Sequence, residues 1–277
     1  MSTSLTRAYR RALQYASTPM FVESLARSNQ KREQPLSSRA IWSLAPRFMW
    51  NGRKVQTASN YGEHLAIASH IIGMPASVPG VVVECGCFKG GSTVNLSLAT
   101  ALAGRELHVF DSFEGLPVPR DGDAEHVLHL DANLNTYEAG MYSGGLEEVR
   151  ENVRRYGDLS ATRFHKGWFE DTMVDFDVPC VTAFVDVDLI SSLETCVMAI
   201  WPRLAPGGAL FVHEARHQEI AAFFFDENWW TENLGVSAPG LVGAGSGLGL
   251  DPEIGGWTSQ LGFAIKTHAE SYVAIPG

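Results

Sequence analysis

The chain is 277 residues long with 45% hydrophobic and 19% charged residues, a balance that suits a globular protein with a substantial core and excludes extensive disorder. Its formal net charge of −10 would repel a phosphate backbone, and no Lys/Arg cluster forms a basic stripe, so nucleic acid is not an expected partner. No apolar run approaches the roughly 20 residues that span a bilayer and no hydrophobic signal core opens the sequence, which points to a cytoplasmic protein without membrane association.

Residues 1–60 read as helices with polar breaks. Leu5, Tyr9 and Leu13, then Tyr15 to Phe21, are spaced for a helical face, and SNQKREQP (28–35) interrupts it. The Ser- and Arg-rich start, free of acids before Glu23, reads as an amphipathic helix, with a transit peptide as the alternative. This segment is expected to be a lid or an arm that joins copies of the chain into a homo-oligomer.

Helical periodicity resumes over 61–72 and is stopped by Pro75 and the Pro79-Gly80 pair. From there short apolar runs alternate with helical stretches, the pattern of repeated βα units around a buried parallel sheet. Strands are predicted at 81–85, 107–111, 161–165, 181–186 and 208–213, and helices at 91–103, 145–156, 190–203 and 215–227. LGFAIKTHAESYVAIPG (261–277) reads as a terminal antiparallel hairpin, and the Gly-rich stretch 235–249 as a long loop over the open edge. RDGDAEHVLH (120–129) reads as a solvated charged loop, and FFFDENWW (223–230) as core, a dimer contact or an acceptor wall. The fold class is thus α/β and Rossmann-like, with a mostly parallel central sheet and a C-terminal antiparallel hairpin. A domain over 61–277 follows a helical extension over 1–60. The four cysteines, Cys85, Cys87, Cys180 and Cys196, lie in apolar runs and are expected as buried thiols rather than a disulfide framework.

In an open α/β sheet the ligand sits at the carboxyl ends of the strands. The first such turn is Glu84-Cys85-Gly86-Cys87-Phe88-Lys89-Gly90-Gly91-Ser92. Its glycines fall as G-x-x-x-G-G, not the G-x-G-x-x-G of dinucleotide enzymes, and a turn led by an acid suits a cationic sulfonium ligand with an amino group. That favours S-adenosylmethionine over NAD, although a Gly-rich turn can also be purely structural. The second strand ends in Asp111, whose carboxylate can accept hydrogen bonds from both ribose hydroxyls or can cap a following turn.

Six stretches then appear in order: VPGVVVECGCFKGGST, VFDSFEGLP, SGGLEEVRENVRRYG, KGWFEDTM, DVDLISSLET and APGGALFVHE. Over roughly residues 60–225 they resemble the successive blocks of the macrocin O-methyltransferase family, class I S-adenosylmethionine-dependent methyltransferases that methylate sugar hydroxyls of small natural products. The resemblance implies that Glu84, Gly86, Gly90, Gly91 and Ser92 line the methionine end of the cofactor, Asp111 and Ser112 the ribose, and Gly167, Trp168 and Phe169 the adenine. Trp168 suits an aromatic wall for a purine, or equally a core tryptophan.

Methyl transfer to an alcohol needs the hydroxyl deprotonated or oriented, which a carboxylate or a metal can assist. The fourth strand delivers Asp186-Val187-Asp188 and the fifth His213-Glu214. The resemblance implies a divalent metal on Asp186, His213 and Glu214 and a general base at Asp188. Two departures stand out, Val187 for the usual glycine and His213 for the first of the usual paired acids. A histidine there shifts preference from magnesium towards a transition metal, or makes His213 itself the base, or marks a site that has lost its metal. His213-Glu214-Ala215-Arg216-His217 also matches H-E-x-x-H, but Pro206-Gly207-Gly208 and the following apolar run place His213 at a strand end rather than inside a helix. The competing readings are therefore a metal-dependent hydrolase built on His213, Glu214 and His217, and a cofactor-binding protein that has lost catalysis.

Overall fold

A computed structural model describes residues 18–123, 125–126, 134–135, 137–215, 217–243 and 259–267. Two helices come first, α1 over 18–30 and α2 (Ser38–Asn51), followed by α3 (Tyr61–Gly73). Ser37 caps α2 by accepting the Ala40 N–H. Asn60 and Glu63 form a capping box on α3: the Asn60 side chain accepts the Gly62 and Glu63 N–H groups, and the Glu63 carboxylate accepts the Asn60 N–H.

The sheet follows from β1 (Val81–Cys85), α4 (Gly91–Leu102), β2 (Leu107–Asp111), α5 (Leu146–Tyr156), β5 (Thr162–Lys166), α6 (Phe169–Thr172), β6 (Cys180–Val185), α7 (Ile190–Ile200), β7 (Leu204–Val212) and β8 (Gly262–Ile265). Between β2 and α5 lies a two-residue antiparallel pair, β3 (Glu125–His126) with β4 (Leu134–Asn135). The large sheet has the order β5-β2-β1-β6-β7-β8 and is parallel except for β8, which runs antiparallel to β7. Every residue of β6 is buried, and so are four of five in β1, because helices cover both faces; this is why these strands read as continuous apolar runs. The chain leaves β1 for β2 on one side and returns as β6 on the other, so the crevice at the carboxyl ends of β1 and β6 is the topological switch point.

Two apolar layers flank the sheet. One contains residues of α3 and α4 together with Leu25, Ile41, Leu44, Ala45 and Phe48 from the N-terminal helices. The region read as an arm thus packs into the main core, although Trp42 and Trp50 of α2 keep 61% and 52% of their surface exposed. The other layer holds Leu193, Val197 and Ile200 of α7 with Phe223, Phe224 and Trp230, so the FFFDENWW run contributes mainly to the core, Phe225 alone of its phenylalanines facing solvent. All four cysteines are buried and free. Among the described residues no helix is long and apolar enough to cross a membrane.

Several expectations shift. The helix predicted at 215–227 is two helices, α8 (Gln218–Phe223) and α9 (Glu227–Leu234), because Asp226 caps the second by accepting the Trp229 N–H. The strand predicted at 161–165 starts one residue later, after a tight turn whose N–H groups Asp158 holds. The loop at 120–129 is not simply solvated: Asp123 is buried and accepts the Ser191 N–H at 2.9 Å and the Arg120 N–H at 2.6 Å, docking the loop on the start of α7. The first arm of the expected hairpin is β8, while 268–277 lies outside the described residues, as do 244–249 of the Gly-rich loop.

Phe48 is fully buried against the sheet-covering layer. Phe48→Ala should lower unfolding free energy by about 3–5 kcal/mol in denaturant titration; a loss under about 1 kcal/mol would mean that α2 is a detachable arm.

Candidate active site

The strand register sets the ends of the strands level. Cys85 pairs with Phe110 and with Val185, and Val185 pairs with Val212. The next residues, Gly86, Asp111, Asp186 and His213, therefore leave the sheet along one edge. Gly86 has φ +80°, and a Cβ there would lie 1.9 Å from the Asp186 carbonyl oxygen, so only glycine lets β1 turn this close to β6. Gly90 and Gly91 serve packing instead. Added Cβ atoms would meet Val149 Cγ1 at 2.9 Å and Thr57 Cβ at 2.5 Å.

The Asp111 carboxylate is held from two directions. Oδ2 accepts the Cys87 N–H at 2.7 Å and Oδ1 the Phe113 N–H at 2.6 Å, which ties the glycine turn after β1 to the acid ending β2. Burial, the largest influence, raises the Asp111 pKa, and the N–H donors oppose it. The Ser112 hydroxyl donates to the Gly115 carbonyl and accepts the Glu114 N–H, so it shapes the loop.

Above this edge opens a cavity. Of the residues singled out from the sequence, Gly86, Ser92, Asp111, Ser112, Gly167, Trp168, Phe169, Asp186 and Asp188 line it, whereas Glu84, Gly90, Gly91, His213 and Glu214 do not. Trp168 is 37% exposed and stands at the start of α6, so it is not a core tryptophan. The cavity is also lined by Thr57, Phe88, Leu116, Tyr142 and Ser192, which sequence reasoning missed. Phe88, Tyr142 and Asp188 all adopt positive φ (49°, 56° and 61°), and this clustering of left-handed non-glycine residues is typical of a functional rim. Phe88 and Tyr142 meet edge to face with centroids 5.9 Å apart. Burial and then the charges of Asp188, Glu214 and Asp186 raise the Tyr142 phenol, which puts that ring on the acidic side of the cavity.

Glu84 lies beneath the cavity, fully buried, with neither carboxylate oxygen in an aligned hydrogen bond. Burial drives its pKa up to about 8, while the nearby Ser92 and Thr93 hydroxyls pull weakly the other way. Burial thus favours the neutral acid.

Behind Asp186 sits a closed ionic cluster. His213 is buried, with Nδ1 3.2 Å from Asp186 Oδ1 and 3.0 Å from Glu214 Oε1, and Nε2 3.6 Å from Glu63 Oε2. These are ion pairs rather than aligned hydrogen bonds, since Nδ1 has no partner of good geometry. Burial, the largest influence, pulls the His213 pKa down, but Asp186 and Glu214 outweigh it and hold it well above the ordinary histidine value. Burial likewise pushes Glu63 up, yet His213 and the Asn60 and Gln260 N–H groups bring it down to about 2. Carboxylates facing both nitrogens favour the protonated form of the His213 ring. Among the described residues, no group of three or more His, Cys, Asp or Glu side chains is arranged to hold an ion. The set Asp186, His213 and Glu214 is thus not arranged as an ion site in this structure.

The H-E-x-x-H string fares similarly. His213 directly follows β7, Glu214 has φ +57°, and α8 begins only after His217, so the two histidines do not share a helix. Glu214 lies between them, 3.0 Å from His213 Nδ1 and 3.2 Å from His217 Nε2, where a hydrolase would need it free to act on water. Glu63, the third acid, was legible only as the last residue of an Asn-x-x-Glu capping signal.

The sheet order, the switch-point cavity and the antiparallel edge strand β8 define the class I methyltransferase fold. Residues 64–233 match the family described as Macrocin-O-methyltransferase (TylF), and the chain belongs to that family. A relative from Streptomyces olivaceus, 8-demethyl-8-(2,3-dimethoxy-alpha-L-rhamnosyl)-tetracenomycin-C 4'-O-methyltransferase, is 34% identical over 142 residues, 50% of this chain and 53% of its own. The chain therefore spans about half the length of that curated relative. Among solved structures, the O-methyltransferase NovP aligns with a TM-score of 0.54 at 21% identity, covering 76% of this chain and 81% of NovP. The calicheamicin methyltransferase CalS11 aligns with a TM-score of 0.54 at 15% identity, covering 91% of each chain.

The raised Glu84 pKa has a sign that can be checked. Between pH 4.5 and about 8 the unfolded chain has lost the proton that the folded chain keeps, so stability falls as pH rises through that window. Glu84→Gln removes this dependence. In the absence of ligand its melting temperature should exceed that of the parent by a margin that grows from pH 5 to pH 8, worth on the order of 3 kcal/mol at pH 7. An equal or shrinking margin in calorimetry would mean that Glu84 is ionised in the folded state.

Proposed function

We propose that this protein transfers a methyl group from S-adenosylmethionine to a hydroxyl of a small natural product, a sugar hydroxyl being the acceptor class. The observation that carries this reading is the 2.7 Å hydrogen bond from the Cys87 N–H to Asp111, which joins the acid-led glycine turn and the ribose-binding carboxylate on one cavity. Asp111 accepts the ribose hydroxyls, and Trp168 and Phe169 flank the adenine. Gly86 and Ser92 border the methionine end, and Glu84 beneath them ionises when the cofactor ammonium approaches. The 4'-O-methyltransferase relative acts on a rhamnosyl tetracenomycin, and its likeness supports a glycosylated acceptor here.

In this reading Asp188 takes the acceptor proton as the oxygen attacks the methyl carbon in line with the departing thioether. The oxygen–carbon bond forms, the carbon–sulfur bond breaks with its electrons left on sulfur, and the proton ends on the Asp188 carboxylate. Asp186, held towards His213, keeps the rim negative beside the sulfonium. The His213 imidazolium supplies the positive charge among the acids, so no step runs through a metal.

Asp188→Asn should lower kcat by about 10²-fold or more while leaving S-adenosylhomocysteine affinity nearly unchanged. Unaltered turnover would remove Asp188 from the base role, and a parent protein that binds the cofactor but methylates no glycosylated acceptor would favour a non-catalytic binder. Treatment with a chelator should leave turnover unchanged; loss restored by Mg²⁺ or Mn²⁺ would return Asp186, His213 and Glu214 to ligand roles.

A further inference from the structure

Charge is divided unevenly along the chain. The formal net charge is −10, yet residues 18–54, which hold α1 and α2, carry seven Lys or Arg against two acids. That region also shows apolar surface. α2 already buries Ile41, Leu44, Ala45 and Phe48 in the layer shared with α3 and α4, so its opposite side is expected to be polar. Instead Trp42, Pro46 and Trp50 are exposed there, spaced i, i+4 and i+8 along one outer stripe. Trp42 and Pro46 also line a groove between α1 and α2, together with Val22 and Met49. Exposed Arg39, Arg47, Arg53 and Lys54 flank the stripe, and Lys54 Nζ stands 4.7 Å from the centre of the Trp50 ring. Aromatic side chains rimmed by cations are the make-up of an interaction surface rather than of a solvated helix face.

The complementary surface lies on the same chain. Residues 170–177 contain four acids and no base, and Glu170, Asp171, Asp175 and Asp177 are all exposed. Among them Val174 is 70% exposed, and Met198 of α7, at 48%, joins it in a second groove with Thr195 and Ala199. Two of the acids have local partners, Glu170 with Arg120 at 2.8 Å and Asp177 with Arg203 at 3.5 Å, but both pairs reach solvent and hold little energy. An apolar patch with an acidic rim thus answers an apolar stripe with a basic rim. One molecule cannot join its own two patches. α1 and α2 belong to the apolar layer on one face of the sheet, Met173 and α7 to the layer on the other.

We propose that the outer stripe of α2, formed by Trp42, Pro46 and Trp50, seats the Val174 and Met198 patch of a second copy of this chain, with Arg39 and Arg47 facing Asp175 and Asp177. Because the two patches differ and lie on opposite faces, the contact is heterologous, so copies join head to tail and either close a ring or extend. An anionic bilayer would also suit the cations and tryptophans. It would, however, repel the acidic remainder of the chain and leave the Val174 and Met198 patch uncovered. Phe169 and Glu170 line both the acidic groove and the cavity, so a seated copy braces the cavity wall. The contact needs no cofactor and stands whether or not the cavity holds S-adenosylmethionine.

Sedimentation velocity of the full chain tests this. The parent at about 100 µM in low salt should sediment as species larger than one chain, and about 0.5 M NaCl should return it to monomer. Arg39→Glu with Arg47→Glu, and separately Asp175→Lys with Asp177→Lys, should each weaken association about tenfold or more. An equimolar mixture of these two proteins should recover assembly, because each reversed face meets an opposite charge on the other. Misfolding cannot produce that recovery. A parent that stays monomeric, charge-reversed proteins that assemble like the parent, or a mixture that stays dissociated each overturns the proposal. So does a monomeric parent that co-sediments with phosphatidylglycerol vesicles but not with phosphatidylcholine vesicles, since the stripe would then serve a lipid surface.

Discussion

The hydrogen bond between the Cys87 N–H and the Asp111 carboxylate is the contact on which the rest of the site depends. It exists because β1 and β2 are adjacent parallel strands ending level, and because Gly86 lets the chain bend where any side chain would strike the Asp186 carbonyl. The same bond orients Asp111 before any ligand arrives, with Phe113 holding its other oxygen. An acceptor fixed in advance loses little freedom on binding, which is the physical reason such a site can be selective for a ribose. Shift the strand register by one residue and the two groups would face opposite sides of the sheet.

A second constraint acts behind the rim. Four ionisable groups are packed together, Glu63 and His213 buried and Asp186 and Glu214 only partly exposed, and the cluster is tolerable because a protonated imidazole stands among the acids. Glu63 reaches it from the first turn of α3, and its other oxygen accepts the Gln260 N–H beside β8. One carboxylate thus couples a helix start, a strand end and the edge of the sheet. A histidine in place of an acid therefore changes more than a ligand preference: it supplies internally the positive charge that the neighbouring carboxylates require.

Much of this was legible in the sequence. The five parallel strands showed as apolar runs because both faces of the sheet are covered, and the acids at 111, 186 and 188 showed because they directly follow those runs. Less visible were contributions whose signal is not periodic. Thr57 and Tyr142 reach the cavity from irregular segments, so no spacing marked them. The split between α8 and α9 was masked by Phe224 and Phe225, which keep the run apolar while Asp226 restarts the helix. His213 was placed correctly at a strand end beside Asp186 and Glu214, but its third acidic neighbour, Glu63, lies 150 positions away, where no local pattern could mark it.

The N-terminal helices carry a practical lesson about the family boundary. The stretch that matches its family opens at residue 64, in the first turn of α3, yet Leu25, Ile41, Leu44 and Phe48 lie in the same apolar layer as the helices that follow. Trimming to the matched boundary would remove the Asn60 cap, strip that layer bare and cut off Thr57. An expression fragment designed on homology alone would therefore be prone to aggregate. The stretch matched by the family is smaller than the apolar layer the chain builds around it.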